Sequence, residues 1–164
     1  MRPAFVQPSN ARSRLHHGIL DERDDVMNSS AVDREHKTFD AVPTSARHAR
    51  QFVSETLYLH GASAGVVSDY ALVVSELASN FIEHGDGSSL IIYLDVTDPD
   101  WWDVEVVGGA VTDTAPIPDP DTWRVAPAED PSGRGLGIVR HLMDDIVTVT
   151  TGNEISIRCR KRRR

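Results

Sequence analysis

Cysteine is nearly absent from this 164-residue chain: Cys159 stands alone. A single thiol closes no internal disulfide, which agrees with a reducing compartment, and without companion cysteines it is a poor metal ligand. Long apolar runs are missing too. Nothing approaches the roughly 18 to 20 consecutive apolar residues needed to span a membrane, and the N-terminus lacks a signal-like segment, so a cytoplasmic protein with no membrane partner is expected. Basic residues are the minority: 17 Lys and Arg against 25 Asp and Glu leave a net charge of −8. That balance argues against general nucleic-acid binding. What remains, with 40% hydrophobic residues, suffices for one soluble domain with a real core.

Residues 1–37 mix Arg, Asp, Ser, Asn and Pro without a sustained apolar period, and read as a flexible arm. The pair His16 and His17 has no further ligands at metal-binding spacing and is assigned no site. A short strand is expected over 38–42, ended by Pro43. Over 44–60, Ala49, Phe52, Val53, Thr56, Leu57 and Leu59 recur at helical spacing, and Gly61 follows as a natural C-cap. A second helix is expected to start near Ser68 or Asp69 and stop at Gly85.

That second helix contains VVSELASNFIEHG. At 100° per residue, Tyr70, Val74, Leu77 and Phe81 share an apolar stripe, while Glu76, Asn80 and Glu83 fall within about 60° of one another on the adjoining flank. One turn apart, Glu76 and Asn80 can enter one cleft, the carboxylate as a base and the carboxamide as a neutral oxygen ligand. An ordinary amphipathic helix with a solvated flank has the same pattern, so the helix alone does not establish a site.

Two strands are expected next, over 90–96 and 102–107, separated by the turn TDPD and paired as an antiparallel hairpin. A long loop then runs through Ser132, with Gly108, Gly109 and five prolines, a length typical of functional lids or disordered insertions. It ends in Gly133, Arg134, Gly135, Leu136 and Gly137, which lead into the helical run IVRHLMDD. Glycines at a helix mouth let backbone N–H groups approach a phosphate, although a ligand-free hinge is equally compatible with them. A Rossmann unit is excluded, because no strand runs directly into these glycines and no second βαβ half follows. Strands over 146–151 and 154–159 close the chain around the turn pair Gly152 and Asn153.

SELASNFIEHG resembles the N-box, and GRGLGIVRHLMDDI the last glycine box, of the histidine-kinase-like ATPases, the superfamily that includes gyrase and histidine kinases. Within it the chain is most similar to the small anti-sigma-factor serine kinases of Gram-positive bacteria, a likeness that FDAVPTSARHARQFVSETLYLHG extends over roughly residues 38–160. The resemblance implies the Bergerat fold, an α+β two-layer sandwich of a mixed or antiparallel sheet with helices on one face. It implies ATP and magnesium as cofactors, with Asn80 at the metal-binding asparagine and Glu76 at the general base that activates a serine hydroxyl. Gly133, Gly135, Leu136 and Gly137 would cradle the phosphates, Arg134 lies near a phosphate-contacting arginine, and His84 stands where a basic residue often touches phosphate.

One departure is plain. After VEVV the family carries an aspartate followed two residues later by glycine, and these positions, which line the nucleotide, read Gly108 and Ala110 here. The carboxylate that accepts a hydrogen bond from adenine is missing, a loss of about 1.5 to 3 kcal/mol, or roughly 10 to 100-fold in affinity. Asp113, three residues beyond Ala110, is the nearest substitute.

Two functions therefore stand side by side. One is a magnesium- and ATP-dependent serine/threonine kinase that sequesters a sigma factor and phosphorylates an anti-anti-sigma antagonist, a bacterial transcription and stress-response regulator that could homodimerise as relatives do. The other is a catalytically degenerate member that regulates transcription by protein contact alone. The basic run 161–164 reads as a solvated tail, with an electrostatic handle for an acidic protein as the alternative.

Overall fold

The computed structural model describes residues 34–110, 117–125 and 134–164. Strand β1 (Glu35–Phe39) leads into helices α1 (Ser45–Leu59) and α2 (Ala64–His84), then β2 (Leu90–Asp95) and β3 (Trp101–Gly109). A 3₁₀ turn (Pro120–Thr122), helix α3 (Arg134–Leu142), and strands β4 (Asp145–Thr151) and β5 (Glu154–Arg162) follow. The five strands form one sheet in the order β1-β2-β3-β5-β4, antiparallel at every pairing. The architecture is the expected α+β sandwich. Among the described residues no helix is long and apolar enough to cross a membrane.

Strand alternation sets the two faces of the sheet. Leu90, Ile92 and Leu94 of β2 are buried, in register with Val104 and Val106 of β3, and those with Cys159 and Ile157 of β5. Against this face α2 packs its stripe of Tyr70, Val74, Leu77 and Phe81, and α1 packs on α2 through Ala49, Val53 and Leu57. Each such aliphatic or aromatic side chain contributes about 1.5–3 kcal/mol when fully buried, so this layer dominates the stability of the fold. The Tyr70 hydroxyl donates to the carbonyl of Trp102 at 2.6 Å and lies 3.2 Å from that of Cys159, which ties α2 to two neighbouring strands.

The other face is a ladder of acids and bases. Asp103 and Glu105 on β3 face Arg158 on β5 and Arg34 just before β1; Arg158 Nε donates to Asp103 at 2.7 Å and Arg34 to Glu105 at 2.7 Å. Arg160 pairs with Asp145 of β4, and Trp101 lies beneath the guanidinium groups of Arg160 and Arg162. Asp103 is the member that matters most, because it is 2% exposed and a buried carboxylate needs its partners. Its hydrogen bonds raise the pKa of Arg158 above the usual guanidinium value, against the opposing effect of burial. The half-exposed Arg160–Asp145 pair contributes much less.

Several boundaries move. β1 starts at Glu35 rather than residue 38, since Glu35, His36 and Lys37 form an edge strand whose charged heads stay exposed. Lys37 lies over the rings of Phe39 and Phe52, while His36 packs on Tyr93. Of the expected arm, residues 1–33 lie outside the described residues, as do His16 and His17. The second helix starts at Ala64, not near Ser68 or Asp69, because Ser63 caps it by accepting from the Val66 N–H.

The solvated-tail reading of 161–164 does not hold. β5 continues through Arg162, with Lys161 on the core side, where its ammonium reaches Asp69 at 2.9 Å and the Leu142 carbonyl at 2.7 Å. Arg163 stacks over Trp102 with its guanidinium 3.6 Å from the ring centroid and donates to the carbonyls of Val96 and Trp101. Arg162 and Arg164 are exposed, the latter at 84% of its side chain and 3.8 Å from Asp144. Deleting 161–164 is therefore expected to destabilise the domain by about 2–3 kcal/mol, the sum of one stacked cation and several charged hydrogen bonds. Urea denaturation measures this, and an unchanged midpoint would restore the tail reading.

Alkaline pH probes the same seam. Burial above all, then Cys159 and Asp103, pushes the Tyr70 hydroxyl above its ordinary pKa of 10.0, and burial likewise pushes the Cys159 thiol above 9.0. The folded chain keeps both protons where the unfolded chain releases them, so this contribution is complete below about pH 9 and is lost as pH rises. The unfolding free energy is expected to fall steadily above about pH 9. Tyr70→Phe should flatten part of that decline and cost about 1–3 kcal/mol at neutral pH. Denaturant titrations at about pH 7 and about pH 10.5 check both expectations.

Candidate functional site

Helix α2 carries its polar flank to the edge of a cavity. Glu76 and Asn80 are half-buried one turn apart, whereas Glu83 and His84 stand exposed at the end of the helix, 3.9 Å from each other. Glu83 faces solvent and takes no part in the site. The Glu76 carboxylate lies against Gly135 in the first turn of α3: a Cβ there would meet Glu76 Oε2 at 2.5 Å. The glycine admits the carboxylate to the mouth of α3.

The cavity has a volume of about 330 Å³, within the range of small-ligand sites. Asn80, Phe81, His84 and Gly85 line it from α2, Gly109 and Ala110 from the end of β3, and Gly135 and Leu136 from α3. Ile155 and Ile157 of β5 and Ile117 complete the wall. Periodicity placed Phe81 only in the core, and Ile155 and Ile157 only on a strand. Ile117 carried no signal at all.

The glycine-rich mouth differs from the expected form. α3 begins at Arg134, so Gly135 and Gly137 lie inside the helix rather than ahead of it. Tertiary packing overrides their poor helical propensity. Gly137 does not line the cavity; it is buried against the backbone of Arg124 and Val125, which a Cβ would strike. That close approach seats the segment holding Trp123, which is buried and donates its indole N–H to the Pro118 carbonyl at 2.8 Å. The indole folds this part of the long loop back onto the domain and so places Ile117 at the cavity wall. Arg134 is half-buried at the start of α3 and is not among the cavity-lining residues. Gly133 and Asp113 lie outside the described residues.

At the end of β3 the missing aspartate acquires a structural meaning. Gly108 is buried and faces Phe81, so a Cβ there would lie 2.5 Å from Phe81 Cδ1. Gly85 forms an isolated bridge with Ala110, and the Asp86 N–H donates to the Gly109 carbonyl at 3.2 Å. Ala110 in turn donates to the Asn153 carbonyl at 2.7 Å, joining the β4–β5 turn. Asp86 lies beside Gly109 and lines a second, polar hollow with Ser88 and Asn153 rather than the apolar cavity. The Ser88 hydroxyl and N–H hold its carboxyl below the ordinary range.

These residues fit the phosphate and metal end of a magnesium nucleotide. Asn80 brings a carboxamide to the cavity wall, Gly135 and Leu136 line it from the first turn of α3, and the Glu76 carboxylate, not itself a lining residue, lies against Gly135. Among the described residues no group of three or more His, Cys, Asp or Glu gathers as a metal site, so a magnesium ion would depend on Asn80, phosphate oxygens and water. The base end fits differently, with apolar walls and no carboxylate among the described lining residues.

A family model described as "Histidine kinase-like ATPase domain" matches residues 39–159. Among solved structures, the chain is similar to the RsbU and RsbW domains of Rv1364c from Mycobacterium tuberculosis, with a TM-score of 0.57 and 20% identity. The likeness covers 79% of this chain and 32% of that one, so this chain spans about a third of its structural relative. No curated protein matches the sequence. The family match covers most of the chain and includes both boxes around the cavity: the chain belongs to the histidine kinase-like ATPase domain family.

Proposed function

We propose that the chain is an anti-sigma factor with serine/threonine protein kinase activity, which binds a sigma factor and phosphorylates an anti-anti-sigma antagonist. One observation carries the reading: the Glu76 carboxylate touches Gly135 at the mouth of α3, while Asn80, one turn on, lines the same cavity as Gly135. The likeness to a structure of RsbU and RsbW domains and the sequence resemblance to anti-sigma-factor serine kinases support it.

Bound magnesium-ATP supplies the phosphoryl group. Glu76 would accept the proton of the attacking serine or threonine hydroxyl, and Asn80 would hold the metal through its carboxamide oxygen. His84, exposed at the rim, adds a basic side chain, and the first N–H groups of α3 at Gly135 and Leu136 favour an anion. Leu136 and Ile117 keep the wall dry.

A second reading rests on Gly108: with no carboxylate at that position and Phe81 against it, nucleotide affinity falls and the protein regulates by contact alone. Labelled γ-phosphate separates the two. With a serine-bearing antagonist, wild type is expected to transfer label, and Glu76→Ala to lose about 10²- to 10⁴-fold in rate while still binding the antagonist. Partner binding without any transfer by wild type would favour the contact-only reading; transfer undiminished in Glu76→Ala would remove Glu76 from the mechanism.

A further inference from the structure

We infer that Phe81 sets the nucleotide specificity of the cavity: its ring sits where a side chain at position 108 would project, so the wall built by the described residues holds a purine by its faces and does not read its edge. This rests on the nucleotide-binding reading above and names which nucleotides that site takes.

Adenine and guanine differ along one edge, adenine offering an amino donor where guanine offers a carbonyl acceptor. Strong discrimination needs a protein group that pairs with one and is left unpaired by the other, whereas apolar contact separates such rings weakly. Much of the described wall is apolar, with Phe81, Ile117, Ile155 and Ile157 among its lining residues. The backbone at the end of β3 is already engaged, the Gly109 carbonyl by Asp86 and the Ala110 N–H by Asn153. The polar side chains on the described wall are Asn80 and His84, and His84 is 74% exposed at the rim.

The ring and a side chain at 108 exclude one another. A Cβ on Gly108 would lie 2.5 Å from Phe81 Cδ1 and 2.9 Å from Cγ, closer than real Cβ atoms approach. Phe81 is itself 8% exposed and held in the core, so it cannot step aside without opening a void. An aspartate at 108 therefore requires a small residue at 81. The aromatic face that replaces it still favours a flat ring by stacking, whatever hydrogen-bonding groups that ring carries.

Displacement of a ribose-labelled fluorescent nucleotide by ATP and by GTP, with magnesium, tests this on the full chain. Wild type is expected to bind the two within about threefold of one another. The double variant Phe81→Ala/Gly108→Asp is expected to prefer ATP by about tenfold or more, the effect of one charged hydrogen bond to the amino group. Wild type preferring ATP by tenfold or more would overturn the inference and leave nucleotide binding intact; failure of wild type to bind any nucleotide at millimolar concentration would sink both. Thermal unfolding gives a readout free of nucleotide. Gly108→Asp should lower Tm, and adding Phe81→Ala should recover part of the loss, whereas simply additive losses would show that the two positions do not compete for space.

Discussion

The last turn of α2 comes into backbone contact with the end of β3 because three glycines leave no side chain between them. At Gly85 a Cβ would strike the Phe81 carbonyl and lie 2.8 Å from that of Gly109; at Gly108 it would meet the Phe81 ring, and at Gly109 the Asp86 carboxylate. The bridge from Gly85 to Ala110 and the bond from Ala110 to Asn153 then join the end of the helix, the end of β3 and the β4–β5 turn. The cavity is the space left beside this junction, and its walls are fixed by elements that belong to the core. Asn80 is positioned by the same helix that buries Leu77 and Phe81, so the site inherits the rigidity of the fold.

The two faces of the sheet are stabilised by different physics. Helix packing covers one with aliphatic side chains; on the other, alternating acids on β3 and arginines on β5 neutralise each other across the strands. This explains how the chain carries a strongly basic end within an acidic total. Arg158, Arg160 and Arg162 point to the open face, where Asp103, Glu105 and Asp145 meet the first two. Lys161 points the other way and holds Asp69 near the start of α2. Cross-strand pairs of opposite charge contribute modestly each, but the burial of Asp103 makes its partners obligatory.

Much of this was legible because apolar periodicity survives in one-dimensional form. The stripe Tyr70, Val74, Leu77 and Phe81 was readable at helical spacing, and the β2–β3 and β4–β5 hairpins followed from β-branched runs and the Gly152–Asn153 turn, whereas the β1–β2 and β3–β5 pairings left no local signal. The edges were not. Glu35, His36 and Lys37 read as part of an arm because an edge strand needs little hydrophobicity, and residues 161–164 read as a tail because all four are charged. Gly137 illustrates a deeper limit. It sits in a glycine pattern that suggests a phosphate, yet the Arg124–Val125 backbone takes that space. Such close approaches join residues far apart in the chain and leave no local trace. Phe81 was readable as core; that it also walls the cavity depends on Gly108 facing it.

The phosphate end and the base end of the cavity are carried by different elements, which is why one can keep its chemistry while the other changes. Glu76 and Asn80 lie upstream on α2 and meet α3 at Gly135; Phe81 and Gly108 meet between the last turns of α2 and β3. Exchange of a carboxylate for a ring at the second junction leaves the first untouched, since no described hydrogen bond links Phe81 or Gly108 to Glu76. For a bound magnesium nucleotide, affinity would then depend more heavily on the triphosphate and metal, where charge-assisted hydrogen bonds are strongest. On the proposed kinase reading, a site built this way would recognise the transferred group rather than the base that carries it. Specificity would fall instead on the protein that presents its hydroxyl to Glu76.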